Sequence, residues 1–315
     1  MLDENVPRFL SWGCGLQSTV IGEMSARGDL PRCTVIHADT SWERQATIDI
    51  REFYAERWRA MGLDVHILGG QDIRQDGAAE HRHMPFWTDA GAPMRRQCTR
   101  HFKITPVKRK VRECLGFDPS RPPHPKPGAA IMWLGITVDE WTRAKPSRIA
   151  FMINRYPLLV AKMDRDDCTA WLESRGLPVP VKSACIGCPY RRASEWIDIR
   201  DNAPEEWRQA VEFDEANRNN PLAERTYTER IYRVDGKEIA QSELAEMDEL
   251  AEMGELDFVE YEKIETAGST ADELYIWREA EPLCSADLDD AARRERRYYG
   301  TQMPMFACES GFCGV

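Results

Sequence analysis

Val6-Pro7-Arg8-Phe9-Leu10-Ser11-Trp12-Gly13-Cys14-Gly15-Leu16-Gln17-Ser18-Thr19-Val20 is a short apolar run, a bend of small residues and the opening of a helical pattern. Phe9 and Leu10 predict a buried strand, Gly13 and Gly15 permit a tight backbone, and Leu16, Val20, Ile21 and Met24 recur at helical spacing. A strand that enters a helix through glycines forms a cradle for phosphate. N–H groups at the helix start lack intrahelical partners, the helix dipole adds partial positive charge, and Ser18 and Thr19 bring hydroxyls. An ordinary strand-to-helix turn has the same outline, so the flanking sequence has to decide between the two.

Outward from this stretch, Cys33-Thr34-Val35-Ile36-His37-Ala38-Asp39-Thr40 reads as a second strand ending in a polar pair. A charged helix is expected from about Glu43 to Met61, and Asp64-Val65-His66-Ile67-Leu68 is a third strand. This alternation predicts an α/β fold, a doubly wound and mostly parallel sheet with right-handed crossovers, whose ligands bind beyond the carboxyl ends of the strands. Ser11, Asp39 and Thr40 then share one edge.

Periodicity is lost from Gly69 to Arg96, which is the pattern of a long loop near a site. His81 and His83 in that loop could take a metal, and a solvated pair explains them as simply. A cationic helix is expected after Cys98, with Arg100 and Lys103 placed i and i+3, so that both can face one anion. Beyond a proline-rich connection from Pro119 to Pro127, Ala130-Ile131-Met132-Trp133-Leu134-Gly135-Ile136 suits a buried central strand. Asp139, Glu140, Arg143, Lys145 and Arg148 follow it, either beside the same edge or as a solvated helix start. Tyr156-Pro157-Leu158-Leu159-Val160 is read as another strand, and Asp164 to Arg175 as a helix capped at Asp164 and ended by Gly176. Cys185-Ile186-Gly187-Cys188 then sets two thiols on one small bend, a spacing used by metal centres and redox pairs alike.

Past Arg192 the chain turns polar and acidic, with helical patterns expected at Glu195 to Asn217 and Ala240 to Glu262. The tail carries Cys308 and Cys313, which implies an end that is tied down or reactive.

The 315 residues, 42% of them hydrophobic, are enough for a full core and suggest one large domain with an appendage or two modest ones. A formal net charge of −11 argues against long-range attraction to nucleic acid or anionic membrane as the main binding force. With no run of eighteen apolar residues and no basic, apolar leader at Met1-Leu2-Asp3-Glu4-Asn5, the expectation is a cytoplasmic protein. Its 10 cysteines are then metal ligands, nucleophiles or buried thiols rather than disulfides. Cys33, Cys114 and Cys168 lie in apolar or helical stretches and are expected to pack.

In their order these motifs resemble the phosphoadenosine phosphosulfate (PAPS) reductase family, within the adenine-nucleotide α-hydrolase or PP-loop group. Gly15-Leu16-Gln17-Ser18 is similar to the family's nucleotide loop, Asp39-Thr40 to the pair ending its second strand, and Gly135-Ile136-Thr137 with Glu140 and Arg143 to its G-x-x-x-x-E-x-x-R element. Tyr156-Pro157-Leu158, Gly176-Leu177-Pro178 and Ser183 to Cys188 resemble the stretch leading to the family's C-x-x-C. The resemblance implies an adenosine nucleotide at Ser11, Gly13, Gly15, Gln17, Ser18, Thr19, Asp39, Thr40 and Gly135, and a substrate anion at Arg100, Lys103, Arg143 and Arg148.

Cys98-Thr99-Arg100-His101-Phe102-Lys103-Ile104-Thr105-Pro106 looks like the paired-cysteine motif of the iron–sulfur adenylyl-sulfate (APS) reductases, with one cysteine where two are expected. The resemblance therefore implies a [4Fe–4S] cluster on Cys98, Cys185 and Cys188, with Cys308 as the fourth ligand. Cys313-Gly314 then resembles the nucleophilic tail of those reductases, although the roles of Cys308 and Cys313 could be exchanged, or both could be ligands and Cys98 free. On this reading residues 1–192 form the nucleotide-binding domain and 193–315 a helical, acidic region.

The implied reaction is reduction of an adenylyl-sulfate-type nucleotide by a thioredoxin-like thiol donor. A rival with the same loop uses ATP and Mg2+ to transfer sulfur from a sulfur donor to a nucleic acid or metabolite. A zinc-stabilised binding module without catalysis accounts for the cysteines and leaves the nucleotide loop unexplained.

Overall fold

The structure, a computed structural model, describes residues 5–70, 72–75, 84–89, 93–94, 96–219, 230–234, 237–240, 262–265 and 273–299. In chain order the first half consists of β1 (Arg8–Ser11), α1 (Leu16–Arg27), β2 (Thr34–Ala38), α2 (Gln45–Ala60), β3 (Val65–Leu68), the short α3 (Ile73–Gln75) and β4 (Trp87–Thr88). A π-helical turn, Arg100–Ile104, runs into α4 (Thr105–Cys114) and is followed by β5 (Ala130–Trp133), a 3-10 segment Val138–Arg143, β6 (Met152–Arg155), α5 (Pro157–Val160) and α6 (Arg165–Glu173). The remainder contributes α7 (Ala193–Asn202), α8 (Pro204–Arg218), β7 (Arg230–Val234), β8 (Lys237–Ala240), β9 (Glu262–Glu265), β10 (Leu274–Tyr275) and α9 (Leu288–Tyr299).

Five strands form the expected parallel sheet, in the order β3-β2-β1-β5-β6. Successive strand residues face opposite sides, and the core divides accordingly. Leu10 packs with Val20, Val35, Trp58 and Trp133 on one face, whereas Phe9 packs with Ile36, Val107, Val111 and Met132 on the other. Because β1 and β5 are covered on both faces, their apolar runs show no polar alternation. Strand order reverses between β1 and β5, so the crevice at their carboxyl ends is the natural ligand position of a doubly wound sheet.

A third cluster joins Trp42, Phe86, Phe102 and Cys185 to Trp196 and Phe213 from the later helices and to Trp277 just after β10. Polar contacts reinforce it. Glu206 of α8 accepts the Gln45 N–H (2.7 Å) and the Arg44 Nε–H (2.8 Å), so a distant carboxylate caps α2 where no local side chain does.

Several local expectations change. Residues 157–160 are helical rather than a strand, because Pro157 occupies the first helical position, where its missing N–H costs nothing; the strand is Met152–Arg155 just before it. The pattern from Glu195 to Asn217 is two helices parted at Ala203, since Pro204 disfavours a helical conformation in the residue before it. Cys33 and Cys168 are buried in the core as expected, whereas Cys114 is exposed, with its sulfur 3.9 Å from His66 Nε2. Helix α6 starts at Asp164 through reciprocal bonds with Asp167, and Gly176 takes φ +64° beyond its end. Antiparallel β7–β9 accompany the C-terminal helices, and β10 pairs with β4. His81, His83, Cys308, Cys313 and most of the segment from Ala240 to Glu262 lie outside the described residues. Among the described residues no helix is long and apolar enough to cross a membrane.

Candidate functional site

Two groups of residues stand at the carboxyl edge of the sheet. The first is the loop after β1. Gly15 is the N-cap of α1 and no side chain caps the helix, which leaves the first-turn N–H groups without a side-chain acceptor. Cys14 at the loop apex holds φ +57°, a conformation rarely adopted by residues with a side chain. The exit of β5 presses on this turn: a Cβ at Gly135 would lie 2.7 Å from the Ser18 backbone nitrogen. Gln17 Nε2 donates to Glu140 Oε1 (2.6 Å), and Glu140 in turn accepts from Arg143. Gln17, Ser18, Gly135, Glu140 and Arg143 thus form one connected group beside Gly13 and Ser11. Thr19 does not belong to it. It is fully buried and its hydroxyl accepts the Trp12 indole N–H (3.0 Å), so it braces the loop from beneath instead of offering a donor to a ligand.

Asp39 and Thr40, expected to border the adenosine, point to different places. Asp39 accepts from the Ser41 N–H (2.7 Å) and from Arg51 (2.6 Å) and lines a surface crevice shared with Arg74 and Glu206. Thr40 is buried, with Oγ1 3.2 Å from Cys185 Sγ.

The second group is the cysteine pocket. Cys98, Cys185 and Cys188 line one cavity, about 640 Å3 with its open mouth included, together with Thr40, Lys103 and Arg96. Cys98 arrives on the turn that leads into the π-helical segment, and the C-x-x-C loop is docked by its backbone. Ile186 N–H donates to the Trp42 carbonyl (2.9 Å), and Cys185 pairs with Glu43 in an antiparallel bridge. Gly187 packs against Trp42: a Cβ there would sit 2.1 Å from the indole. The buried guanidinium of Arg191 gathers the loop by donating to the carbonyls of Ile186 (3.0 Å), Ala184 (2.9 Å) and Cys185 (2.7 Å). The sequence reading overlooked Arg191, although it follows the second cysteine closely.

Burial, with Cys188 and Cys185 adding, pushes the Cys98 thiol up to about 12. Burial likewise raises Cys185, reinforced by Cys188 and opposed by Lys103. Such thiols deprotonate when a metal takes the proton's place. Ser183 Oγ also lines this cavity, buried and with no hydrogen-bond partner among the described residues. Three convergent thiols beside a lysine have the donor chemistry that a thiolate-ligated metal centre requires.

Of the four residues expected to hold the anion, Lys103 lines the cavity and Arg100 is half-buried one turn before it. Arg143 is engaged by Glu140 at the nucleotide loop, and Arg148 is exposed on the segment leading to β6.

No curated protein matches the chain. Among solved structures it is similar to the PAPS reductase from Candida auris in its phosphate complex, at 15% identity over 55% of this chain and 74% of that one, with a TM-score of 0.36. It is also similar to the U34-tRNA thiolase NcsA from Methanococcus maripaludis with its [4Fe-4S] cluster, at 14% identity over 66% of this chain and 70% of that one, with a TM-score of 0.37. Residues 7–119 match the phosphoadenosine phosphosulfate reductase domain, the segment that carries β1, the turn from β1 into α1, Asp39-Thr40 and Cys98. Over that segment, and there alone, the chain matches the PAPS reductase domain family.

Proposed function

We propose that the protein is an iron–sulfur enzyme that binds an adenosine nucleotide and reduces an adenylyl-sulfate-type substrate with thiols. The observation that carries this reading is the meeting of Cys98, Cys185 and Cys188 in one cavity beside Lys103, at the strand edge where the nucleotide loop also opens. A [4Fe–4S] cluster would be held by those three cysteines with Cys308 as the fourth ligand, and would tie their segments together.

In the proposed reaction the first-turn N–H groups of α1 hold the nucleotide phosphate, the Ser18 hydroxyl turns to it from the Gly15 carbonyl, and Gly135 lets the exit of β5 pack against that turn. The Cys313 thiolate attacks the sulfur of the sulfate group. The sulfur–oxygen bond to phosphate breaks and its electron pair leaves with the nucleotide, giving a cysteine thiosulfonate. An external thiol of the thioredoxin type then attacks the Cys313 sulfur, sulfite departs with the bonding pair, and a disulfide remains. Lys103 and Arg100 favour the thiolate and hold the transferring anion, while Arg143 fixes Gln17 through Glu140.

The test is anaerobic incubation of the purified protein with APS, PAPS or ATP and a dithiol, assaying sulfite and pyrophosphate. Sulfite from APS or PAPS is expected. Pyrophosphate from ATP without sulfite from either sulfate would overturn the reductase reading and establish ATP-dependent sulfur transfer, to a nucleic acid or a metabolite, on the same loop.

A further inference from the structure

Beneath the nucleotide loop, Cys14, His37 and Glu43 converge from the loop apex, from β2 and from the segment before α2. One donor atom of each lies within 4.8 Å of the others, and all three side chains are buried. His37 Nδ1 is 2.9 Å from the Trp12 carbonyl, which accepts its proton, so Nε2 keeps a lone pair. Nε2 faces Glu43 Oε2 at 3.7 Å, too far for a hydrogen bond. Neither Nε2 nor either Glu43 oxygen has a hydrogen-bond partner among the described residues. Arg51 and Lys103 are close enough to act on this group by charge. Neither donates to Glu43, and Arg51 is turned to Asp39. Cys14 Sγ lies 3.4 Å from His37 Nδ1, on the side of the ring away from the unpartnered Nε2. A buried carboxylate and an imidazole lone pair, neither of them given a proton by a neighbour, make an expensive arrangement unless something positive binds there.

We propose that Cys14, His37 and Glu43 are the protein ligands of a divalent zinc-class cation, bound through Sγ, Nε2 and a carboxylate oxygen. Thiolate, imidazole and carboxylate form a zinc donor set, and a ligating histidine usually gives its other N–H to a carbonyl or carboxylate, as His37 does to Trp12. A nucleophilic Cys–His–Glu relay is the competing use of the same residues. It fails on access, because Cys14 is 1% exposed, and on protonation, because burial, with Glu43 adding, holds the thiol well above its ordinary value. Cation binding sends the Cys14 proton to solvent and joins the loop apex to β2 and to the strand-like segment at Glu43. Since Glu43 is bridged to Cys185, the cation also steadies the ground on which the cysteine pocket stands. The site does not depend on which nucleotide the loop takes.

The test is metal analysis of the full chain, with zinc and iron measured together after anaerobic purification and dialysis against Zn2+. One zinc per chain is expected. It should persist when Cys98→Ser and Cys188→Ser remove pocket thiols and iron, and disappear in Cys14→Ser and His37→Gln with iron retained. A wild-type chain without zinc, or zinc that survives Cys14→Ser and leaves with the pocket thiols, overturns the proposal. Buried substitutions can prevent folding, so zinc-edge X-ray absorption of the unmodified, iron-loaded chain gives an independent answer. One sulfur among nitrogen and oxygen neighbours is expected, and an all-sulfur shell overturns the assignment.

Discussion

Thr40 Oγ1 and Cys185 Sγ, 145 positions apart in the chain, lie 3.2 Å from each other. A hydroxyl at that distance donates to the sulfur once it is a thiolate, which steadies the ligand a cluster needs. Thr40→Val keeps the shape and removes the donor. The loss should be about 1 kcal/mol, read as roughly fivefold faster bleaching of the iron–sulfur absorbance in air, with Thr40→Ser close to wild type. Equal rates for all three proteins would show that the contact does not bear on the sulfur.

Removal of the thiols separates structural from chemical roles. Cys98→Ala, Cys185→Ala and Cys188→Ala should each lose iron, whereas Cys313→Ala should keep iron and release no sulfite. Iron analysis beside a sulfite assay on the same preparations checks both.

Arg191 holds three carbonyls of the C-x-x-C loop with a buried charge. Arg191→Ala leaves those carbonyls without their donor and should cost about 2–4 kcal/mol in urea unfolding. Arg191→Lys, which keeps the charge without the planar fork, should recover part of the stability but less of the iron.

Gly135→Ala sets a methyl group 2.7 Å from the Ser18 nitrogen. The exit of β5 must then move off α1, at a cost of about 1–3 kcal/mol. Nucleotide affinity measured by calorimetry should fall about tenfold. Gly69→Ala, which meets nothing within 4 Å, is the neutral control.

Glu195 gives a pH signature. Burial alone would raise its carboxyl, yet Lys182 (2.8 Å) and the Arg192 N–H (2.9 Å) outweigh that and hold it below the ordinary 4.5. A carboxylate depressed in the folded state stabilises the protein above its unfolded value and loses that contribution as pH falls through the folded one. Glu195→Gln should therefore be about 1 kcal/mol less stable at pH 7. The gap should narrow below pH 4.5 and close at the acid end, followed by thermal unfolding across pH.

The parallel sheet was legible because β1, β2 and β5 are buried on both faces, which leaves unbroken apolar runs that few other arrangements explain. Gly13 to Ser18 was legible as a strand-to-helix turn for the same reason. Pro157 was misread because four apolar residues carry no periodicity, and position decided in favour of a helix. The inward turn of Thr19 depends on where Trp12 packs, a tertiary fact with no local signal. Cys14, His37 and Glu43 have no motif spacing at all; the pairing of β1 with β2 and the bridge of Glu43 to Cys185 bring them together. Arg191 could have been suspected as a lone cation tucked behind a thiol pair, but its three carbonyl partners are visible only once the loop is folded.

The close contact of Gly187 with Trp42 has an evolutionary consequence. With the indole occupying the space where any side chain would begin, position 187 cannot gain a side chain while the ring stays in place. Across homologues the two should drift as a coupled pair, a larger residue at 187 appearing only where the ring at 42 has shrunk.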